Sequence, residues 1–202
     1  GSHTSDTEGV RKSGAAGRMS FARTANLHWL WSLSADFTTK RYDINDVGFF
    51  RRPNDYGGVG SLKYRENSPA EAVRSYTVQL MGHERENFDG ANLNRDLQLE
   101  ADLTFLNYWG TSGFIEAEFG LYDDRETRDH GLYRKPRILR GGLSVNSDER
   151  ENVKVDFEQE FAADSKQGRS SSTRMELELR PVPWMRWELE GEYETVGTQE
   201  AW

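Results

Sequence analysis

The side chains best suited to bind a ligand stand together between positions 45 and 55. They are Asn45, Asp46, Arg51, Arg52 and Asp55. Two arginines flanked by carboxylates can form an ion-pair network that folds a long loop inward as a plug or constriction. The same groups could bind an anionic or sugar ligand. Holding the shape of their own loop is the simplest and most frequent role, and the residues leave all three alternatives open.

Residues for catalysis are sparse. His83-Glu84 and Asp129-His130 could together supply an acid–histidine site, but histidines are common in loops. The sequence has no cysteine, and it lacks the Gly-x-Ser-x-Gly turn, the phosphate-binding glycine loop and the His-x-x-x-His metal pair. We therefore predict that the protein is not an enzyme and that it uses no metal and no cofactor.

The composition points to strands that are apolar on one side only. Hydrophobic residues make up 35% of the 202 residues and charged residues 30%, yet aromatic residues reach 12%. Because disordered chains are poor in aromatic residues, the low hydrophobic content does not indicate disorder. The formal net charge of -8 argues against a nucleic-acid partner, which would require a basic surface.

Apolar and polar residues alternate through almost the whole chain after residue 18. In "RWELEGEYE" (186–194), Trp187, Leu189 and Tyr193 alternate with charged side chains. A period of two predicts β-strands, and we expect an all-β, antiparallel up-and-down meander of about nine or ten strands. Gly1-Ser2-His3 is similar to the remainder of an expression tag, so we expect a flexible segment over 1–18 and the β-domain over 19–202.

The predicted connections between strands alternate in length. Four are long (39–57, 83–94, 123–136 and 163–172) and four are short (66–71, 109–113, 147–151 and 181–183). Because every second connection of a meander lies at the same end, this pattern is typical of outer-membrane barrels. Tryptophans concentrate toward the short connections, where a membrane interface would place an aromatic girdle. The predicted girdle residues are Trp29, Trp31, Trp109, Trp184 and Trp187.

On the last three strands the polar positions are mostly acidic. In a transmembrane β-barrel these side chains would line the lumen and favour cations. They are Glu158, Glu160, Glu176, Glu178, Glu188, Glu190 and Glu192. In this orientation Leu99→Arg or Leu177→Arg should destabilise the barrel, whereas Glu178→Ala should be nearly silent. In the alternative, a soluble all-β ligand-binding protein of the small-barrel type, the apolar side chains line a pocket and the charges meet solvent.

The segment "YDINDVGFFRRPNDYG" (42–57) resembles one in a family of bacterial outer-membrane proteins of unknown function. Shorter matches to that family are "KYRENSP" (63–69), "NFDG" (87–90), "YDDRETR" (122–128) and the terminal "EAW" (200–202). In the family, a carbohydrate-binding domain similar to family-nine modules precedes a large C-terminal β-barrel. The resemblance covers residues 25–202, all within the barrel part.

The resemblance implies that the chain is part of a larger transmembrane β-barrel in the bacterial outer membrane. We therefore expect the lipid bilayer as a partner and a pore, transport or surface-scaffold role. A saccharide or small solute would be a further partner. Because the carbohydrate-binding domain is not within this sequence, no sugar-binding residue is transferred to it.

Overall fold

The computed structural model describes residues 2–5, 11–42, 53–68, 70–124 and 131–197. Every regular element in these ranges is a β-strand. The strands are β1 (Ser2–Ser5), β2 (Arg11–Gly14), β3 (Ala16–Arg23), β4 (Trp29–Thr38), β5 (Asp55–Glu66), β6 (Val73–Glu86), β7 (Asn92–Phe105), β8 (Gly110–Glu118), β9 (Tyr122–Asp123), β10 (Tyr133–Arg134), β11 (Ile138–Asn146), β12 (Val153–Asp164), β13 (Arg169–Val182) and β14 (Met185–Gly197). Among these residues there is no helix with the length and apolar character needed to cross a membrane.

Ten of the strands form one antiparallel sheet. Its order is β14-β13-β12-β11-β8-β7-β6-β5-β4-β3, and β1–β2 and β9–β10 form two separate two-stranded sheets. The predicted all-β antiparallel meander is therefore confirmed. β3 and β14 lie at the two edges and do not pair with each other, so the sheet is open.

The strands are long because the alternation of apolar and polar residues covers many positions and polar residues extend the strands beyond it. β6, β7 and β13 have 14 residues each. At about 3.3 Å per residue, such a strand is roughly 46 Å long. Typical strands of globular proteins have only about 5–6 residues.

Two of the four predicted long connections are wrong. β6 and β7 are joined by 87–91 alone, and β12 and β13 by 165–168. In the first turn, the side-chain oxygen of Asn87 accepts hydrogen bonds from the backbone N–H groups of Asp89 (3.0 Å) and Ala91 (2.8 Å). Gly90 has a φ of 83°, which favours glycine. Polar residues next to these turns extend the strands instead of forming loops. The connections between β4 and β5 and between β8 and β11 are long, as predicted.

The sheet has one face, here called the apolar face, on which large hydrophobic side chains line up across strands. One row pairs Trp31, Leu62, Leu80, Leu99 and Ile115 on five successive strands. These side chains are between 42% and 55% exposed. The buried hydrophobic residues of the described ranges are only Ala91 and Leu93, so this sheet does not enclose a hydrophobic core of its own.

Candidate functional site on the polar face

The opposite face, here called the polar face, carries the charged and hydroxyl side chains. All seven acids that the sequence predicts to line a lumen lie on it, because the register pairs them with one another or with other polar-face residues of β12, β13 and β14. These acids are Glu158, Glu160, Glu176, Glu178, Glu188, Glu190 and Glu192. The lumen-lining role itself stays a prediction.

An ion-pair network lies on the polar face near the long connection between β4 and β5. Arg85 on β6 donates hydrogen bonds to Asp36 on β4 (2.7 Å) and to Asp55 on β5 (2.8 Å). Asp55 is only 4% exposed, so this contact replaces water around its carboxylate. Sequence reasoning missed Arg85 because the residue fell within a predicted loop.

Asp55 is the one member of the predicted plug or ligand-binding set that the structure describes. It begins a strand and pairs with Arg85. The other members, Asn45, Asp46, Arg51 and Arg52, lie outside the described residues. A plug or ligand-binding role for this set therefore stays a prediction.

His83 had been expected in a loop, but it is part of strand β6. It pairs with Asp96 across β6 and β7, and its Nδ1 lies 3.2 Å from Asp96 Oδ1. The side-chain nitrogen of Asn94 lies 2.8 Å from the same Nδ1 and 2.7 Å from Asp96 Oδ1. The three side chains form a compact polar contact on the polar face. His130, the other histidine considered for catalysis, lies outside the described residues.

Two arginines on the polar face each contact a pair of carboxylates that are separated by one residue on the neighbouring strand. The two arrangements are Arg140 with Glu116 and Glu118, and Arg174 with Glu190 and Glu192. The distances from Arg174 to the two carboxylates are 3.4 and 3.6 Å. A single guanidinium can serve two acids in this way because it carries five donors in a fixed plane.

Glu178 is surrounded by cations. It is 5% exposed, and its carboxylate lies 2.9 Å from Arg186 and 3.9 Å from Lys154, with Arg180 also in contact. This environment overturns the expectation that Glu178→Ala is nearly silent, because the substitution would leave three neighbouring cations without this carboxylate. Alternation shows which face a residue occupies, but it does not show which acid of that face is covered.

The five tryptophans of the predicted girdle lie toward one end of the sheet, here called the short-turn end, where β3–β4, β5–β6, β7–β8, β11–β12 and β13–β14 connect. They are Trp29, Trp31, Trp109, Trp184 and Trp187. Tyr64 contacts Trp29 and Tyr76 at this end, with ring centroids 4.9 and 5.9 Å apart. The clustering is a structural fact, and contact with a membrane interface stays a prediction.

Side-chain contacts tie neighbouring turns together at the short-turn end. The guanidinium carbons of Arg150 and Arg74 lie 3.4 and 4.5 Å from the centre of the Tyr108 ring. Asp148, whose side chain is 9% exposed, accepts hydrogen bonds from Nε and Nη2 of the Arg150 guanidinium. These hydrogen bonds lower the pKa of Asp148 to about 2. Hydrogen bonding to Arg150 and the charge of Arg74 also lower the pKa of Tyr108.

Within the described ranges, no group of three or more His, Asp or Glu side chains is arranged to hold a metal ion. Most of the contacts described on the polar face are ion pairs and hydrogen bonds between different strands. Their chemistry is suited to stabilising the sheet and to presenting carboxylates along one surface.

These features define a class: an all-β protein with one open, ten-stranded antiparallel sheet that is charged on one face and apolar on the other. The chain matches the model of the family described as "Domain of unknown function (DUF5916)" over residues 1–194, and it therefore belongs to this family. Neither the curated proteins nor the solved structures include a match. The resemblance noted in the sequence was also to a family of unknown function, and its outer-membrane barrel and carbohydrate-binding parts stay predictions.

Proposed function

We propose that this chain forms part of the wall of a β-barrel in the bacterial outer membrane. In this proposal the apolar face contacts lipid and the polar face borders an acidic aqueous lumen. The observation that carries the proposal is the exposed row of Trp31, Leu62, Leu80, Leu99 and Ile115. Soluble monomers rarely expose a large contiguous apolar surface, so such a row requires a covering. Acyl chains provide one that matches its chemistry.

The difference in exposure between the two faces supports the same orientation. On β6 and β7, Leu80 and Leu99 are exposed, whereas the neighbouring polar-face residues Gln79 and Gln98 are partly covered. A sheet that curves around its polar face produces this difference, because side chains crowd together on the inner side of a curved sheet. A soluble sheet with an ordinary core would bury the leucines instead.

The dimensions of the strands and the distribution of aromatic residues also fit a membrane wall. A strand of roughly 46 Å exceeds an apolar band about 25 Å tall even when it is tilted by about 40°. The five tryptophans, with Tyr64, Tyr76 and Tyr108, lie toward the short-turn end. At the other end, Tyr56 packs against Phe88 with ring centroids 5.1 Å apart. Aromatic residues at both levels are expected where a barrel meets the two interfaces.

The acids of the polar face suggest a pore or scaffold that favours cations over anions. A saccharide or other small polar solute is the ligand class suggested by the family resemblance. A complete barrel that contains this wall, reconstituted in planar bilayers, should pass cations better than anions. Replacing Glu158 and Glu160 by Gln should reduce that preference. Anion-selective conductance would contradict the proposed lumen.

A soluble ligand-binding protein is the competing function, and one observation favours it. An open depression of about 850 Å³ lies at the β3–β6 side of the sheet, between Met19, Leu33, Phe37 and Tyr56. In a soluble protein this depression would be the ligand pocket. A soluble protein would stay monodisperse without detergent, whereas a lipid-facing sheet should aggregate unless detergent or lipid is present.

Substitution on adjacent positions of β7 tests the proposed function. Leu99→Arg should cost about 2–4 kcal/mol of unfolding free energy in lipid vesicles, because arginine would enter the centre of the apolar band. Gln98→Arg, on the polar face opposite Glu116, is the matched control and should have little effect. Denaturant unfolding followed by tryptophan fluorescence measures both. Equal costs, or a larger cost for Gln98→Arg, would contradict the proposed orientation.

A further inference from the structure

The edge strand β14 presents a long, unpaired backbone. It runs over 13 residues and pairs with β13 on one side, while no described strand lies on its other side. β3, the other edge, has 8 residues. A long exposed edge with alternating side chains is a template for the addition of another strand through backbone hydrogen bonds.

The polar side of β14 also has an excess of negative charge. Its four consecutive polar-face positions are Glu188, Glu190, Glu192 and Glu194. Two of these glutamates lie directly opposite glutamates of β13, since the register pairs Glu188 with Glu178 and Glu190 with Glu176. Directly opposed like charges destabilise a strand pair.

One arginine of β13 and one of β14 itself compensate only part of this charge. Arg174 contacts Glu190 and Glu192, and Arg186 lies 2.7 Å from Glu188. Glu194 has Ser172 opposite it. Two arginines therefore serve three of the four glutamates, and the polar side of β14 keeps an excess of two negative charges.

The interior of the sheet shows how such acids are balanced elsewhere. Glu116 and Glu118 on β8 both contact Arg140 of the neighbouring strand β11, which lies opposite Glu116. Asp36 and Asp55 share Arg85 from β6 in a similar way. In each case a cation on a nearby strand serves two carboxylates.

We propose that the open edge of β14 binds an antiparallel strand with a basic polar side. Its polar positions would carry arginine or lysine opposite Glu190, Glu192 and Glu194. Its other side would carry apolar residues next to Leu189 and Tyr193. The proposal deepens the proposed function, because a barrel wall with two open edges requires further strands.

The β3 edge of a second copy of this chain is a less suitable occupant. β3 is five residues shorter than β14, and Arg18 is its only charged residue on the polar face, where it lies opposite Asp36. A strand with two or three cations matches the four glutamates better. The proposal therefore commits to a basic strand other than β3.

Peptide binding to the whole chain in detergent micelles tests this inference. The probe is a fluorescent nine-residue peptide that alternates arginine with valine or tyrosine, and binding is followed by fluorescence anisotropy. Two matched peptides serve as controls: one has glutamate in place of arginine, and the other has N-methyl groups on the amides that would face β14. We expect only the unmodified basic peptide to bind.

Paired substitutions show whether binding is specific to the edge. Glu192→Gln with Glu194→Gln should weaken binding about two- to thirtyfold, the effect of two cross-strand charge pairs. Glu158→Gln with Glu160→Gln removes the same charge from the interior strand β12 and should leave binding unchanged. Circular dichroism verifies that both variants keep the sheet.

Four results would overturn the inference: no binding of the basic peptide, equal binding of the N-methylated peptide, equal weakening by the β12 variant, or exclusion of the peptide by a dimer of the chain. The last result would assign the edge to a second copy. Because the assay does not require contact between the apolar face and lipid, its failure is distinguishable from failure of the proposed membrane orientation.

Discussion

Glu178 provides a sharp test of whether the covered acids of the polar face stabilise the sheet. We consider Glu178→Gln, which keeps the shape of the side chain but removes its charge. The carboxylate is 5% exposed and contacts Lys154, Arg180 and Arg186. Glutamine cannot neutralise these cations, so the variant leaves positive charges close together in a poorly hydrated place.

The loss of unfolding free energy in Glu178→Gln depends on how well water solvates each of the three cations. Removing one partner of a fully buried ion pair costs about 3–5 kcal/mol. Arg180 and Arg186 are roughly half exposed and remain solvated, whereas the side chain of Lys154 is 19% exposed. We therefore expect a loss of about 2–3 kcal/mol, most of it from Lys154.

Urea unfolding in detergent micelles, followed by tryptophan fluorescence, measures this loss without the screening that a charged denaturant would add. Glu190→Gln is the matched control, because Glu190 is a half-exposed acid of the same face and should cost about 0.2–1 kcal/mol. Combining Lys154→Met with Glu178→Gln should recover part of the stability. The reasoning is refuted if the two single variants unfold alike, or if Lys154→Met makes Glu178→Gln worse.

Two further predictions concern the turns and the strand contacts. Asp148→Asn should destabilise the protein at pH 7, because the ionised carboxylate of Asp148 stabilises the folded state. The difference in unfolding free energy from the unmodified protein should disappear as the pH falls from about 4 toward 2, where this carboxylate becomes protonated. Urea midpoints at several pH values measure the difference, and a constant difference down to pH 2 would contradict the prediction. Gly57→Ala should cost about 1–3 kcal/mol, because a Cβ there would clash with the backbone oxygen of Glu84. Gly60→Ala is its control, since the nearest atom to its Cβ would be a Leu33 methyl group 3.8 Å away; equal unfolding free energies would contradict the steric reasoning.

Alternation in the sequence was sufficient to predict the faces of the sheet. Leu97 and Leu99 alternate with Gln98 and Glu100, and a period of two admits only one structure over so many residues. The meander followed from the spacing of these segments. Whether the sheet is open or closed did not follow, because this depends on curvature and on edge pairing, which alternation does not encode.

The ends of the strands were the least predictable part. Near these ends both faces of the strand carry polar residues, such as Glu84, Arg85 and Asn94. The alternation of apolar and polar residues therefore stops before the strand ends. Arg85 and Arg95 instead form ion pairs with Asp55 and Glu84 on the neighbouring strands, and the strand pairing continues there. Hydropathy cannot distinguish a polar strand end of this kind from a loop.

The sequence also could not show which acids of the polar face are buried. Glu178 and Glu190 have the same chemistry and the same position in the alternation, yet one is enclosed by three cations and the other lies on an edge strand. The difference arises from the register of β12, β13 and β14, which brings Lys154 opposite Glu178. Register is a property of the paired strands and not of either strand alone.

Site-directed fluorescence on β7 tests most directly which face of the sheet meets lipid. The sequence has no cysteine, so Leu99→Cys and Glu100→Cys each give a single labelling position on opposite faces. With bimane attached and the protein in lipid vesicles, nitroxide-labelled lipids should quench the label at position 99 strongly and the label at position 100 weakly, while iodide in the water should do the reverse. Equal quenching at the two positions, or stronger lipid quenching at position 100, would contradict the proposed orientation of the sheet.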